Sequence, residues 1–260
     1  MDFIFIYIGI SVCFVILEKV FPQRKQELLR KGIFTDLLHF IFNGHYFGVW
    51  IYGLSIWFLT YFDNWVQTIG LKDLVYFNAL SDLNIFIQFG IAFFILDFLR
   101  WCVHNLLHRV PFLWKFHKVH HSIETMDWIG SMRFHWAEIV FYKTLLYLPI
   151  AFLGFDNKIF FYLAGFDVFM GHFNHSNFRL DIGVLKYFFN SPQMHIWHHD
   201  YFGEKSFNKN FAINLSLWDW IFGTAFLPEN RPPKRLAFNG IENFPKNFFT
   251  QHLFPFLKLK

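Results

Sequence analysis

Histidine is the residue type in this chain that is best placed to do chemistry. Fourteen histidines are present, and eleven of them lie between positions 104 and 199. Most are spaced three or four residues apart, which places their imidazoles on one face of a helix. The groups are His104-x-x-x-His108, His117-x-x-His120-His121, His172-x-x-His175 and His195-x-x-His198-His199. Because imidazole binds iron, zinc, copper and nickel, the pattern predicts a metal centre built from several helices.

The number of clustered histidines indicates more than one metal ion. A structural zinc takes only about four ligands, so these histidines exceed what one zinc needs. Soluble di-iron bundles use Glu-x-x-His motifs, and the chain contains none. A histidine-rich type of two-metal site is therefore expected. The isolated His39, His45 and His252 are predicted to be polar residues at a membrane surface.

The composition favours a membrane protein. Hydrophobic residues make up 55% of the 260 positions, 41 of which are Phe, while charged residues account for 16%. Typical soluble chains have about 25% charged residues. A bilayer can solvate the apolar outer surface that such a composition leaves. The net charge of +4 is modest, and the basic stretches flank apolar segments, so no nucleic-acid partner is expected. Cys13 and Cys102 form no C-x-x-C pair, which argues against a thiolate metal site.

Five apolar runs, at 3–17, 37–62, 85–99, 139–155 and 159–170, are candidate membrane segments. The last two are separated by only three residues and predict a tight hairpin. The expected fold is all-α: a multi-pass integral membrane bundle of about three spans plus a hairpin, forming one membrane domain over 1–260. Basic residues between positions 19 and 31 favour the cytoplasmic side. That orientation places every histidine motif in a cytoplasmic cap.

Carboxylates are needed beside such histidines, because a metal-bound imidazole donates its other ring N–H to an acceptor. Asp97 and Glu138 are the leading candidates, with Asp200 and Asp219 as further ones. Asp97 lies seven residues before His104, which is two helical turns on the same face. The alternative is that Asp97 pairs with Arg100 or caps a polar pocket.

The histidine motifs and the segments around them resemble those of the fatty acid hydroxylase superfamily, also called the sterol desaturase family. The similarity covers roughly 90–225, the expected catalytic region. It lies in 97–108 (DFLRWCVHNLLH), 113–122 (LWKFHKVHHS), 133–138 (RFHWAE), 175–177 (HSN), 192–199 (PQMHIWHH) and 214–224 (NLSLWDWIFGT).

The resemblance implies a membrane-bound, non-haem di-iron oxygenase with two iron ions and O2 as co-substrate. It would hydroxylate or desaturate a lipid such as a sterol, a fatty acyl chain or an alkyl glycerol ether. By position, the implied metal ligands are His104, His108, His117, His120, His121, His172, His175, His195, His198 and His199, with His135 as a further candidate.

The chain has no recognisable redox domain of its own, so electrons are expected from a separate cytochrome, ferredoxin or flavoprotein reductase. The expected location is the inner membrane of a bacterium, or the endoplasmic reticulum of a eukaryote, with the active site facing the cytoplasm. Two alternatives have different metal requirements. A membrane metal-binding or transport protein would have variable loading, and a zinc-dependent membrane hydrolase would have one zinc and a glutamate base beside its histidines.

Overall fold

Helices of very different lengths build the chain, as a computed structural model shows. The structure describes residues 3–76, 78–201, 203, 205–228 and 231–257, without the side chains of 3–7, 45, 49, 52 and 56. No β-strand occurs among these residues, which confirms the all-α prediction. The helices are α1 (Phe3–Val20), α2 (Ile33–Ile41), α3 (Gly48–Thr68), α4 (Lys72–Val75), α5 (Ile85–Arg109), α6 (Pro111–His121), α7 (Trp136–Tyr147), α8 (Asn157–His175), α9 (Pro192–His198), α10 (Leu217–Ile221) and α11 (Phe248–Leu253).

Capping residues begin the helices that carry the histidines. The side chains of Asn84, Asp156 and Ser191 accept hydrogen bonds from backbone N–H groups in the first turns of α5, α8 and α9. These residue types satisfy donors that a helix N-terminus leaves unpaired. Proline occupies the first position of α6 and α9, where its missing N–H costs nothing. The sequence thus fixes where these helices begin.

The apolar core of the bundle lies between α5, α7 and α8. Leu96, Leu146, Ile159 and Leu163 are fully or almost fully buried there. The predicted hairpin corresponds to α7 and α8, but it is not tight: residues 148–156, which include a short 3-10 turn, join the two helices. Its connection includes Gly154, whose positive φ of 80° and close approach to another loop leave no room for a side chain.

The candidate spans differ in how they fold. Among the described residues, only α5 is both long and apolar enough to cross a membrane. The predicted run 37–62 is divided, because a π-helical segment at Phe42–Phe47 joins α2 to α3. Helix α7 has 12 residues, fewer than the ~20 that cross a bilayer unaided. The predicted number of spans therefore stays a prediction.

A cap of short helices and loops covers the ends of the long helices at the histidine side. Buried ion pairs join Arg30 to Asp127 and Arg133 to Asp36, tying the segment after α1 to the cap. His39 is fully buried, with its Nε2 atom 2.9 Å from Oε1 of Gln251 in α11. The prediction of a surface position for His39 is therefore wrong, because α11 covers that face of α2. The side chain of His45 lies outside the described residues.

Candidate metal centre

Nine histidines converge in two adjacent groups. The first, the five-histidine group, contains His104, His108, His117, His121 and His198; the second, the four-histidine group, contains His120, His175, His195 and His199. Within each group, one nitrogen of every ring lies within 4.8 Å of the others. Eight of the nine side chains belong to buried residues, and His108 is half-buried. The nine histidines come from α5, α6, α8 and the segment of α9 with the residue that follows it. These four helices must therefore pack together to form the centre.

Helices α6 and α9 contribute to both groups. In α6, His117 and His121 join the five-histidine group, whereas His120 turns to the four-histidine group. The division follows from helical geometry: His120 and His121 lie on opposite sides of His117 and are separated by about 100° around the helix, so they can face different groups.

The motif at α9 is divided in the opposite sense. His195 and His199 belong to the four-histidine group, and His198 belongs to the five-histidine group. In each of the two motifs, the middle histidine therefore joins a different group from the outer two. Helices α5 and α8 complete the groups, α5 with His104 and His108 and α8 with His175.

Backbone carbonyls orient many of the rings. Nδ1 of His104 donates to the Phe211 carbonyl at 2.7 Å, and Nδ1 of His198 donates to the Lys209 carbonyl at 2.8 Å. A carbonyl oxygen can only accept, so the Nδ1 atom carries the proton. The Nε2 atom is then left with a lone pair that points into the centre.

The remaining orienting bonds follow the same principle. Nδ1 of His175 donates to the Gly171 carbonyl at 2.8 Å, and Nδ1 of His120 donates to the Arg133 carbonyl at 3.2 Å. His117 has a carboxylate partner instead, because Oε1 of Glu138 lies 2.7 Å from its Nδ1 atom. Glu138 and His117 each have a side chain that is 2% exposed. The structure therefore places Glu138 where an acceptor beside a metal ligand is needed.

The close approach of unprotonated nitrogens tests whether metal ions fit. Nε2 of His175 lies 3.2 Å from Nε2 of His120 and 3.2 Å from Nε2 of His195. In His120 and His175 the proton is on Nδ1, so their facing Nε2 lone pairs cannot bond to each other. All five Nε2 atoms of the other group are buried without a hydrogen-bond partner among the described residues. Cations placed between these atoms would satisfy them, so both donor sets fit metal ions.

The electrostatics of the cap histidines favour the form that binds metal. Burial lowers the pKa well below 6.5 for His117, His120, His121, His195, His198 and His199, and neighbouring imidazoles lower it further. These rings are therefore neutral at pH 7. Only the neutral ring has a free lone pair to offer a metal.

Among the residues that the structure describes, Asp97 makes no hydrogen bond to any of the nine histidines. Its carboxylate accepts from the backbone N–H groups of Asn214 and Leu215 and from Nε1 of Trp218, at 2.9 to 3.2 Å. Asp97 therefore orders the chain just after Phe211, whose carbonyl orients His104. Its influence on the centre passes through the backbone.

Asp219 has a similar place. It accepts from the backbone N–H groups of Phe211 and Ala212 at 3.0 and 2.9 Å, and from the Thr224 hydroxyl at 2.6 Å. The segment 209–215 therefore supplies ring acceptors and is itself held by two buried carboxylates. Sequence reasoning missed this segment, since backbone carbonyls leave no residue-type signal. Asp200 accepts from the Ser206 hydroxyl.

Two of the predicted ligand candidates lie outside both groups. The Nδ1 atom of His172 is 2.6 Å from the Ser131 hydroxyl, and its ring packs against Phe14 and Trp128. His135 caps α7, with Nδ1 accepting from the N–H of Ala137. The structure does not bring either ring to the centre.

Both nitrogens of His135 are in fact occupied, since its Nε2 atom donates to the carbonyl of His252 at 2.8 Å. A ring engaged in this way has no lone pair left for a metal. Trp136, which begins the helix after His135, lies next to its ring.

A cavity of about 180 Å³ leads to the five-histidine group from the cap. Its lining includes His108, His121 and Trp114 on the inner side and the exposed Phe207 on the outer side. The Trp114 ring lies 4.9 Å from that of His108 and 5.1 Å from that of His121. The cavity thus connects the five-histidine group with the surface of the cap.

Comparison with known proteins identifies one matching family model, described as fatty acid hydroxylase, over residues 89–224. An ornithine lipid hydroxylase of Rhizobium tropici, OlsE, is 27% identical over 254 residues, covering 96% of this chain and 74% of the relative. An alkylglycerol monooxygenase of Danio rerio is 30% identical over 142 residues, covering 54% of this chain and 30% of the relative. A methylsterol monooxygenase of Arabidopsis thaliana is 27% identical over 161 residues, covering 61% and 54%. No solved structure matches.

Proposed function

Because the chain belongs to the fatty acid hydroxylase family, we propose that it is a membrane oxidoreductase that hydroxylates a lipid with O2. The observation that carries the proposal is the pair of histidine groups with inward-facing, unprotonated nitrogens. The relatives are named for an ornithine lipid, an alkylglycerol and a methylsterol. Their common substrate class is a membrane lipid, and we extend that class to this chain.

Two iron ions are the proposed cofactor, one in each histidine group. Imidazole suits iron, and neutral ligands without carboxylates leave each ion with its full positive charge. When bound, the ions would provide the redox chemistry by which O2 is reduced. The residues of this chain would hold the ions, fix the ring tautomers through Glu138 and the backbone carbonyls, and exclude water by burial.

The balance of the reaction requires an electron donor. A C–H bond, O2, two electrons and two protons give an alcohol and one molecule of water. The proposed donor is a separate cytochrome, ferredoxin or flavoprotein reductase. Desaturation is the alternative outcome, in which the lipid loses two hydrogens and both oxygen atoms leave as water.

A bilayer is the proposed environment of the whole chain, as one multi-pass membrane domain with the centre facing the cytoplasm and the catalytic region over 90–225. Large apolar side chains are exposed along the helices, including Trp50, Trp57, Phe58, Phe86 and Phe161. A soluble monomer rarely leaves so much apolar surface in water. Lipid tails covering these faces would bring substrate directly to the bundle.

Metal analysis and product analysis together test the proposal. After treatment with a chelator, the purified protein is expected to hold about two irons, and the double variant His120→Ala/His121→Ala about one, because it leaves only three ligands in the four-histidine group but four in the other. His252→Ala is the matched control, since His252 lies outside both groups. With isotopically labelled O2 and reductant, label in the lipid indicates hydroxylation, and a product two hydrogens lighter without label indicates desaturation.

Zinc in place of iron, or metal binding that does not depend on His120 and His121, would contradict the proposal. So would an iron-loaded protein that oxidises no lipid when O2 and electrons are supplied.

A further inference from the structure

A layer of polar side chains crosses the bundle just below the histidines, on the side away from the cap. Helix α5 carries Arg100 one turn before His104, a spacing of about 6 Å along the axis. Helix α7 starts at the centre with Glu138 and carries Tyr142 one turn further on. Helix α8 carries Asp167 two turns before it reaches the centre. Three helices thus place polar groups one or two turns from the centre.

An ion pair between α5 and α8 forms the middle of this layer. The guanidinium of Arg100 bonds to Oδ2 of Asp167. The Arg100 side chain is 3% exposed, whereas that of Asp167 is 23% exposed. The guanidinium end of the pair is therefore buried and the carboxylate end is partly accessible. Lys143 lies within electrostatic reach of Asp167. Ionisable residues within membrane helices are costly and are usually functional.

The pair leaves hydrogen-bonding capacity unused. Nη1 of Arg100, Oδ1 of Asp167 and both amide atoms of the Asn214 side chain are buried without a hydrogen-bond partner among the described residues. The Asn214 amide faces the Asp167 carboxylate and the Tyr147 hydroxyl faces Arg100, close enough to interact but without full hydrogen-bond geometry. The backbone N–H of Asn214 is held by Asp97. An ion pair that only joined two helices would gain by satisfying these atoms, since most buried polar groups are paired.

We propose that Arg100, Asp167 and Asn214 bind an uncharged polar group of the lipid substrate, such as a hydroxyl or an amide. Donors on Arg100 and Asn214 and an acceptor on Asp167 match a group that both accepts and donates. Two basic residues, Arg100 and Lys143, lie within electrostatic reach of two carboxylates, Asp167 and Asp97. Their opposite charges balance, so the layer favours an uncharged group over an ion.

The depth of the layer then limits the position of oxidation. A polar group bound one turn from His104 leaves room for only a few bonds between it and the carbon at the centre. The oxidised carbon is therefore close to the polar head of the lipid and far from the end of its chain. This inference rests on the proposed function, because it assumes that the histidine centre oxidises a lipid.

Binding to the metal-loaded, detergent-solubilised protein is the first test. The probes are monopalmitoylglycerol and its di-O-methyl ether, which has the same chain but no hydroxyl. The first is expected to raise the unfolding temperature and the second is not. Asp167→Asn is expected to weaken binding of monopalmitoylglycerol about tenfold or more, the loss typical of a hydrogen bond to a charged group. Asp156→Asn, an exposed change on the same helix that keeps its capping function, should bind as the wild type.

Iron content separates binding from folding. Asp167→Asn is expected to keep the wild-type iron content, because Asp167 contacts no ring of either group. If this variant fails to fold, Asn214→Leu removes the amide that faces Asp167 but keeps both charged residues of the ion pair, and it is expected to weaken binding in the same way. Equal binding of the two probes, or unchanged binding in Asn214→Leu, overturns the inference.

The position of the new hydroxyl is the second test. Mass spectrometry of the oxidised lipid is expected to locate it in the head or on the first carbons of the chain. A hydroxyl in the middle or at the end of the chain overturns the inference but leaves the proposed function intact. Absence of both iron and any oxidised lipid overturns the proposed function itself.

Discussion

His121 and His199 lie with their rings stacked, at a centroid distance of 4.4 Å and an interplanar angle of 22°, although they belong to different histidine groups. One ring comes from α6 and the other follows the last residue of α9. The contact marks the place where the two groups adjoin. Ions held on either side of it would therefore be near neighbours.

The unequal size of the groups leads to a first prediction. His195→Ala leaves three ligands in its group, whereas His108→Ala leaves four, which is the number that fills a closed site. After treatment with a chelator, His195→Ala is expected to retain about one ion and His108→Ala about two. Elemental analysis per chain measures the difference. Loss of both ions from either variant would show that the groups do not bind independently.

Glu138 provides a second prediction. Replacing it with Leu removes the acceptor of the His117 ring proton, and loss of such a partner usually weakens metal binding about 10- to 100-fold. Glu138→Gln should have a smaller effect, because its amide oxygen still accepts. Competition with a chelator measures the affinity. Glu124→Gln is the control, since Glu124 is exposed and pairs with Lys246 at the surface. Equal affinity in Glu138→Leu and the control would mean that the His117 tautomer does not matter.

Asp219 is expected to determine the stability of the segment that orients His104. Asp219→Ala leaves the buried N–H groups of Phe211 and Ala212 without their acceptor, and each such loss costs about 1–3 kcal/mol. A decrease of several kcal/mol in the free energy of unfolding is therefore expected, with a smaller decrease for Asp219→Asn. Denaturation in detergent measures it. A wild-type free energy of unfolding in Asp219→Ala would contradict this role of the carboxylate.

The C-terminal helix α11 should respond to acid through His252. Burial, together with the neighbouring His135, lowers the pKa of His252 to about 4, below the 6.5 of an exposed histidine. The unfolded segment therefore binds more protons, so its folded form is fully stable above about pH 6.5 and loses stability as the pH falls towards about 4.

Hydrogen exchange over 247–257 measures this opening. His252→Phe keeps a ring but cannot be protonated, so exchange in this variant should depend less on pH. The dependence is reduced and not abolished, because His39 and His135 remain beside it. An unchanged pH profile in His252→Phe would assign the effect to other groups.

Two glycines offer a matched test of backbone requirements. A Cβ atom at Gly154 would lie 2.7 Å from Cα of Asn78, and its φ is 80°. Gly154→Ala is therefore expected to lower the unfolding temperature, since strain at such a position exceeds the gain of about 0.4–1 kcal/mol from a stiffer unfolded chain. Gly165, within α8, has no atom within 4 Å of the same position. Gly165→Ala is expected to be neutral or stabilising, and the opposite order would contradict the close approach.

Much of the fold could be read from residue types and spacing. Apolar runs, capping residues and prolines predict an all-α chain, and the spacing of histidines predicts that several helices share one centre. Nine of the ten histidines predicted as ligands do lie together, and Glu138 lies beside His117. These features are local, since three- and four-residue spacing and helix caps depend on neighbours along the chain.

The tertiary structure decided how the histidines are divided. Spacing defines the faces of α6 and α9, but the packing of each helix against its neighbours determines which face meets which group, and so His120 and His198 cross over. Packing also excludes His135 and His172, whose partners come from distant segments. Asp97 lies on the predicted helix, yet its carboxylate accepts a hydrogen bond from the backbone N–H of Asn214, more than a hundred residues away. Such contacts join residues with no sequence relationship, and only folding brings them within hydrogen-bonding distance.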